Sequence, residues 1–148
     1  MGVDVGTVRV GVARSDLDAL LATPVETLVR GGGDLDRISD LAVEYDAVAV
    51  VVGLPRSLSG GESHAASAAR GYARELVTRL RARGIDVSVR LVDERMSTVT
   101  AEQAMRAAGR PARRQRAVVD QAAAVVILQH AMDSERATGL PPGEVVDA

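Results

Sequence analysis

Several residue types are missing from this sequence or nearly so. It has no cysteine, tryptophan, phenylalanine or lysine, and its aromatic residues are Tyr45 and Tyr72. The absence of cysteine excludes disulfides, thiolate zinc sites and cysteine nucleophiles. The absence of lysine excludes a Schiff base and a P-loop lysine. The shortage of aromatic rings argues against a platform on which single-stranded bases stack.

Long apolar runs are missing too. No stretch reaches the roughly 18 apolar residues of a membrane-spanning helix, so we expect a soluble, cytoplasmic protein without a membrane partner. The 148 residues suffice for one domain with a substantial core. We predict that residues 1–133 form this domain and that 134–148, which contain glycine and proline, form a flexible tail.

Positive charge is concentrated in one segment, although the formal net charge of the chain is −2. From Gln103 to Val119 there are five arginines and no acid. Arginine binds phosphate oxygens bidentately, and the segment leads into the last predicted helix, so we predict contacts to nucleic-acid phosphates. The alternative is a solvated face of helix and loop. The five residues are Arg106, Arg110, Arg113, Arg114 and Arg116.

The spacing of apolar residues predicts five strands and four helices. The predicted strands cover 2–5, 8–13, 24–29, 47–52 and 85–91, and the predicted helices cover 34–45, 62–83, 100–108 and 115–133. Asp34 is expected to cap the first helix. The order β-β-β-α-β-α-β-α-α predicts an α/β fold with a mixed five-stranded sheet that is flanked by helices.

Acidic residues occupy three positions where packing alone would not place them. Asp4 lies within an apolar strand, and Asp93-Glu94 follow the fifth strand, at the end where α/β sheets commonly bind ligands. Asp120 lies one helical turn before Ala124, on the apolar side of its helix.

Each of these acids also has a purely structural explanation. Asp4 could accept hydrogen bonds from the turn that follows it, and Glu94 could pair with Arg95. Asp120 could pair with an arginine such as Arg9 or Arg116. These explanations are weaker jointly than singly, because two strand positions and one core-facing helix position can converge in a compact domain.

Converging carboxylates would need a cation between them. Two carboxylates about 4 Å apart repel each other by roughly 4 kcal/mol at an effective dielectric constant near 20. A site of oxygen ligands without cysteine or histidine suits Mg²⁺ or Mn²⁺ rather than zinc. Such ions, about 3.5–4 Å apart in a two-metal site, support the in-line phosphoryl chemistry of nucleases and polymerases.

The first motif has a competing interpretation. The stretch Gly2–Thr7 also matches the phosphate loop of actin-like and sugar-kinase ATPases. Those enzymes consist of two related domains and are usually more than twice as long as this chain. An ATPase would also leave Asp120 without a role.

Four motifs together resemble the YqgF/RuvX family of RNase H-fold nucleases: Gly2–Ala13, Gly53–Pro55, Asp93–Thr98 and Asp120–Ala123. The resemblance extends to about Asp133, with the motifs in the family's order and spacing. It implies an RNase H-like fold.

The resemblance also implies roles for individual residues. Asp4, Glu94 and Asp120 match the catalytic acids, which hold Mg²⁺ or Mn²⁺, with two ions expected, and Asp93 matches an alternate or supporting ligand. Further matching residues are assigned to nucleic-acid contact or ligand orientation. These are Arg9, Arg95, Ser97 and Thr98. In one departure, Met1 stands where family members generally carry several further residues, so either the start site is misassigned or the first strand is trimmed.

For function, the resemblance implies hydrolysis of phosphodiester bonds in the 5′-end maturation of precursor 16S ribosomal RNA, a cytoplasmic step of ribosome biogenesis. One alternative is a Holliday-junction resolvase that acts on four-way DNA junctions, which requires a dimer; the sequence leaves monomer and homodimer open. The other is a non-catalytic nucleic-acid-binding or transcription-associated module whose acids only stabilise the fold.

Overall fold

A computed structural model describes residues 1–55, 63–94 and 112–147, with only the backbone described at 112–120. The helix predicted at 100–108 lies outside these ranges. The strands are β1 (Gly2–Val5), β2 (Arg9–Ser15), β3 (Ala22–Val29), β4 (Ala49–Leu54), β5 (Ser88–Asp93) and β6 (Glu144–Val145). The helices are α1 (Asp34–Glu44), α2 (His64–Ala82) and α3 (Ala112–Thr138).

The strands form one mixed sheet in the order β3-β2-β1-β4-β5-β6. β2 is antiparallel to both β1 and β3, whereas β1 pairs in parallel with β4, and β4 with β5. β1, β3, β4 and β5 therefore run in one direction and end at the same side of the sheet. We call this side the carboxyl edge; it is formed by Val5, Val29, Leu54 and Asp93.

The predicted mixed α/β sheet is confirmed, but it has six strands rather than five. The additional strand, β6, lies within the segment predicted as a flexible tail and pairs with β5 through Arg90 and Leu91. The Arg90 Nε donates a hydrogen bond to the Pro142 carbonyl at 2.6 Å, and Arg70 forms an ion pair with Glu144 at 2.6 Å. Two residues are too few to show an alternation pattern in the sequence.

Helices cover both faces of the sheet, giving three layers. Val3, Val10 and Val52 point toward α1 and α2, whereas Val51 and Val92 point toward α3. This separation follows from the strand geometry, in which successive side chains point to opposite faces. Among the described residues, no helix is both long enough and apolar enough to cross a membrane.

Helix α3 runs antiparallel to β3. At one end, Gln121 Nε2 donates to Thr27 Oγ1 at 3.0 Å, and at the other, the backbone N–H of Ala22 donates to Gln129 Oε1 at 2.9 Å. The amino-terminal half of α3 therefore lies at the carboxyl edge. The helix extends beyond both predicted ends, 115 and 133.

The prediction that Asp34 caps α1 is wrong. Gly33 occupies the N-cap position, and no side chain caps the helix. The buried Asp34 carboxylate instead accepts hydrogen bonds from the backbone N–H of Gly31 at 2.9 Å and from the hydroxyl of Tyr72 at 2.6 Å. A buried tyrosine hydroxyl needs a partner, and Asp34 provides it.

Candidate active site

Two of the predicted acids, Asp4 and Glu94, meet at the carboxyl edge. Asp4 lies on β1, and Glu94 follows β5 directly. The Glu94 backbone N–H donates to the Leu54 carbonyl at 3.2 Å, which continues the β4–β5 pairing by one residue. β4 separates β1 from β5, so the Glu94 side chain reaches across β4 toward Asp4.

Gly53 makes this reach possible because it has no side chain. A Cβ at this position would lie 2.5 Å from Glu94 Oε2 and 2.6 Å from Ile127 Cδ1 of α3. Carbon atoms do not approach these atoms so closely without displacing them. The carboxylate of Glu94 therefore lies directly over the backbone of Gly53. Gly53 lies in β4 and belongs to one of the four motifs that carry the family resemblance, and the structure supplies a steric reason for glycine at this position.

The electrostatics of the Asp4–Glu94 pair favour the binding of a proton or a cation. Burial raises the pKa of Glu94 from 4.5 to about 8, with further contributions from the charge of Asp4, a hydrogen bond with Asp4 and the charge of Asp93. Glu94 Oε2 is buried and has no hydrogen-bond partner among the described residues. A buried acceptor without a partner is costly, and a bound cation would satisfy it.

The donor set fits a hard divalent cation. Asp4 and Glu94 offer carboxylate oxygens, which Mg²⁺ and Mn²⁺ prefer. Asp93 is exposed and acts on Glu94 through its charge. Within the described ranges, no group of three or more acidic, histidine or cysteine side chains forms a complete metal site. The described part of the site is therefore a carboxylate pair.

The backbone of Asp120 lies in α3, next to Gln121, in the half of the helix at the carboxyl edge. Its side chain lies outside the described residues, so its predicted place in the site stays a prediction. The same holds for three arginines in the first turns of α3: Arg113, Arg114 and Arg116.

Of the other predicted nucleic-acid contacts, Arg9 lies among the described residues. Arg9 is the first residue of β2, opposite Val29, and therefore lies at the carboxyl edge. The remaining five residues lie outside the described ranges and stay predictions. These are Arg95, Ser97, Thr98, Arg106 and Arg110.

One cation at this edge was not predicted from the sequence. Arg30 follows β3, and its Nη1 donates a hydrogen bond to the Gly6 carbonyl at 3.0 Å, two residues after Asp4. An arginine after a strand carries no local signal. Only the pairing of β1, β2 and β3 brings it to the carboxyl edge.

Comparison with solved structures identifies the fold. The structure is similar to Thermus thermophilus RuvC in complex with a Holliday junction substrate, with a TM-score of 0.55 at 18% identity, covering 98% of this chain and 97% of that one. A second RuvC structure from Thermus thermophilus gives a TM-score of 0.51 at 18% identity and covers 98% of each chain. The chain thus has a RuvC-like, RNase H-like fold, as predicted.

The chain belongs to the RuvX family, described as Holliday junction resolvase, which matches residues 1–134. It is 54% identical to a Thermobifida fusca protein named "Putative pre-16S rRNA nuclease", covering 99% of this chain and 94% of that protein. A Nocardioides protein of the same name is 59% identical, with coverage of 99% and 95%. The predicted family is confirmed.

Proposed function

We propose that this protein is a metal-dependent endonuclease that hydrolyses phosphodiester bonds in the precursor of 16S ribosomal RNA. The observation that carries the proposal is the carboxylate pair of Asp4 and Glu94, in which the buried Oε2 of Glu94 has no hydrogen-bond partner in the described part of the chain. The names of the relatives support the substrate, and membership of the RuvX family supports the activity. The implied setting is cytoplasmic ribosome biogenesis.

In this mechanism the acids hold the cation and the arginines hold the substrate. Asp4 and Glu94 would bind Mg²⁺ or Mn²⁺ between them, with Asp120 as a third ligand and Asp93 as an alternate one. When bound, the ions would supply an activated water molecule and neutralise charge on the reacting phosphate. Gly53 keeps the Glu94 carboxylate over the sheet edge, where the backbone of a nucleic acid can approach.

Among the described residues, Arg9 and the backbone at the start of α3 lie at the carboxyl edge, as does the carboxylate pair. Arg9 begins β2 at the carboxyl edge, and α3 begins there with three further arginines in its first turns. The segment before α3 adds the remaining proposed contacts. These are Arg95, Ser97, Thr98, Arg106 and Arg110, followed in α3 by Arg113, Arg114 and Arg116.

Cleavage of precursor ribosomal RNA tests the proposal directly. We expect the purified protein to cleave this RNA with Mg²⁺ or Mn²⁺, and Asp4→Asn to lower the rate by more than about 100-fold. Changing even the hydrogen-bond partners of metal ligands costs about 10–100-fold, and a ligand matters more. Equal cleavage by both proteins would refute the assignment.

Thermal unfolding tests the metal site without a substrate. A ligand that binds only the folded state stabilises it by about 2.7 kcal/mol at 100 times its dissociation constant. We therefore expect Mn²⁺ to raise the melting temperature of the wild type and to have little effect on Asp4→Asn. The same Mn²⁺ response in both proteins, or in neither, would favour a non-catalytic nucleic-acid-binding module.

A second candidate function, junction resolution, is favoured by the description of the RuvX family and by the fold shared with RuvC. Resolution requires symmetric incision by two active sites and hence a dimer. Cleavage of a four-way DNA junction, together with the mass of the protein in solution, separates the two candidates. A monomer that cleaves precursor RNA and leaves the junction intact excludes resolution.

A further inference from the structure

Arg30 lies at the same edge of the sheet as the carboxylate pair. It directly follows β3, which is parallel to β1, β4 and β5. Its backbone N–H donates to the Val8 carbonyl at 2.9 Å, and its side chain reaches the Gly6 carbonyl at 3.0 Å. Arg30 therefore binds both ends of the turn that joins β1 to β2, next to Asp4.

The guanidinium of Arg30 is held in place by an aromatic ring. Its central carbon lies 5.6 Å from the centroid of the Tyr72 ring, within the range of a cation–π contact. The Tyr72 hydroxyl donates to Asp34 Oδ2 at 2.6 Å, and Asp34 Oδ1 accepts from the backbone N–H of Gly31. Tyr72 is 3% exposed and Asp34 is 5% exposed. This buried network fixes the ring, and the ring fixes the orientation of Arg30.

Arg30 differs from the arginines on the outer surface of the molecule. Arg79 and Arg83, for example, form ion pairs with Asp36 and Asp40. Within the described residues, no carboxylate forms an ion pair with Arg30, and its side chain donates one hydrogen bond, to a carbonyl. A guanidinium has five N–H donors in a planar fork that matches a phosphate, so Arg30 keeps donors for a ligand.

We propose that Arg30 binds a backbone phosphate of the nucleic-acid substrate at the carboxyl edge, on the face of the sheet covered by α1 and α2, whereas the carboxylate pair lies on the face covered by α3. This inference rests on the proposed function, since it names a further contact of the same site. Arg30 is half-buried and oriented in advance, and no acid among the described residues pairs with it, so it loses little conformational freedom when it binds an anion. Its contact with the Gly6 carbonyl places that phosphate next to the strand that carries Asp4.

The salt dependence of binding tests this contact. A phosphate contact contributes about 0.7 to the slope of log affinity against log salt on single strands and about 0.9 on duplex DNA. We expect Arg30→Gln to lower the slope by about that amount for a labelled single-stranded RNA from the precursor, measured without divalent ions, and Arg30→Lys to retain it.

Arg14→Gln is the matched control. Arg14 also stacks on a tyrosine, 4.4 Å from the Tyr45 centroid, but it lies opposite Thr23 at the other end of the sheet. Its removal should leave the slope unchanged. A lower melting temperature of Arg30→Gln with an unchanged slope would show a purely structural role and overturn the inference.

Chemical protection provides a second measurement that needs no variant. We expect bound RNA to protect Arg30 of the wild type, but not Arg14, from phenylglyoxal, as read by mass spectrometry. Equal modification of Arg30 with and without RNA would overturn the inference. If the wild type still cleaves the RNA, the proposed function stands. If the wild type neither binds nor cleaves the RNA, both the proposed function and the proposed Arg30 contact are refuted.

Discussion

The outer surface of the helices and the carboxyl edge both carry acidic residues, but the neighbours of these acids differ. On the helices, Arg79 donates to Asp36 at 2.5 Å and Arg83 donates to Asp40 at 2.6 Å, so each of these acids faces a cation. At the carboxyl edge, Asp4 and Glu94 face each other, and none of the described residues forms a hydrogen bond with the buried Oε2 of Glu94.

The pKa shifts make this difference explicit. The hydrogen bond from Arg79 lowers the pKa of Asp36, whereas burial and the neighbouring acids raise the pKa of Glu94. Exposed ion pairs contribute little to stability, and a buried like-charged pair opposes folding. The acids on the helical surface are therefore neutralised within the folded protein, whereas the acids at the carboxyl edge favour binding of a positively charged ligand.

Of three further changes that test this difference, we expect the largest effect from Gly53→Ala, which disturbs the carboxyl edge without removing a charge. The added Cβ would displace the Glu94 carboxylate or Ile127. Misplacement of a reacting group by about 1 Å can cost about 100-fold in rate, and overpacking typically costs about 1–3 kcal/mol of stability. Cleavage assays and chemical denaturation measure the two effects.

Gly71→Ala provides the control for that variant. Gly71 lies inside α2, and a Cβ there has no atom within 4 Å. Alanine should stabilise the helix by about 1 kcal/mol and leave cleavage unchanged. If Gly53→Ala cleaves RNA as fast as Gly71→Ala, cleavage does not require the observed position of the Glu94 carboxylate.

The next largest effect concerns the pH dependence of stability in the protein without divalent ions. Because the pKa of Glu94 is raised from 4.5 to about 8, the folded state holds a proton that the unfolded state releases between these values. The contribution of Glu94 to stability is therefore full below about pH 4.5 and is lost as the pH rises toward 8.

Glu94→Gln isolates this contribution, because glutamine resembles the protonated acid. Near pH 5 the melting temperatures of the variant and the wild type should be similar, and toward pH 8 the variant should melt several degrees higher. A difference that does not change with pH would contradict the raised pKa. Addition of Mn²⁺ at pH 8 should stabilise the wild type and have little effect on the variant.

The smallest effect is expected on the helical surface, from Asp36→Asn. The Asp36 side chain is exposed and its partners, Arg79 and Arg83, remain solvated. Loss of an exposed ion pair changes stability little, so the melting temperature should shift less than in Gly53→Ala, and cleavage should not change. A large loss of activity would show that the substrate also contacts this surface.

Much of the fold was predictable because its elements have strong local patterns. The apolar alternation that follows Arg9 and the helical spacing that follows Asp34 predicted a strand and a helix that the structure contains. The strand β6 was missed because two residues give no pattern, and the cap at Asp34 was wrong because its partner, Tyr72, lies on another helix.

The sequence by itself determined where the acids lie relative to the strands, since Asp4 lies in an apolar strand and Glu94 directly follows another. Only the tertiary structure decided that their carboxylates meet over Gly53 and that Arg30 reaches the Gly6 carbonyl. Periodicity records which face of an element is buried. It cannot record which residues distant in the chain become neighbours, because strand order and helix packing set those distances.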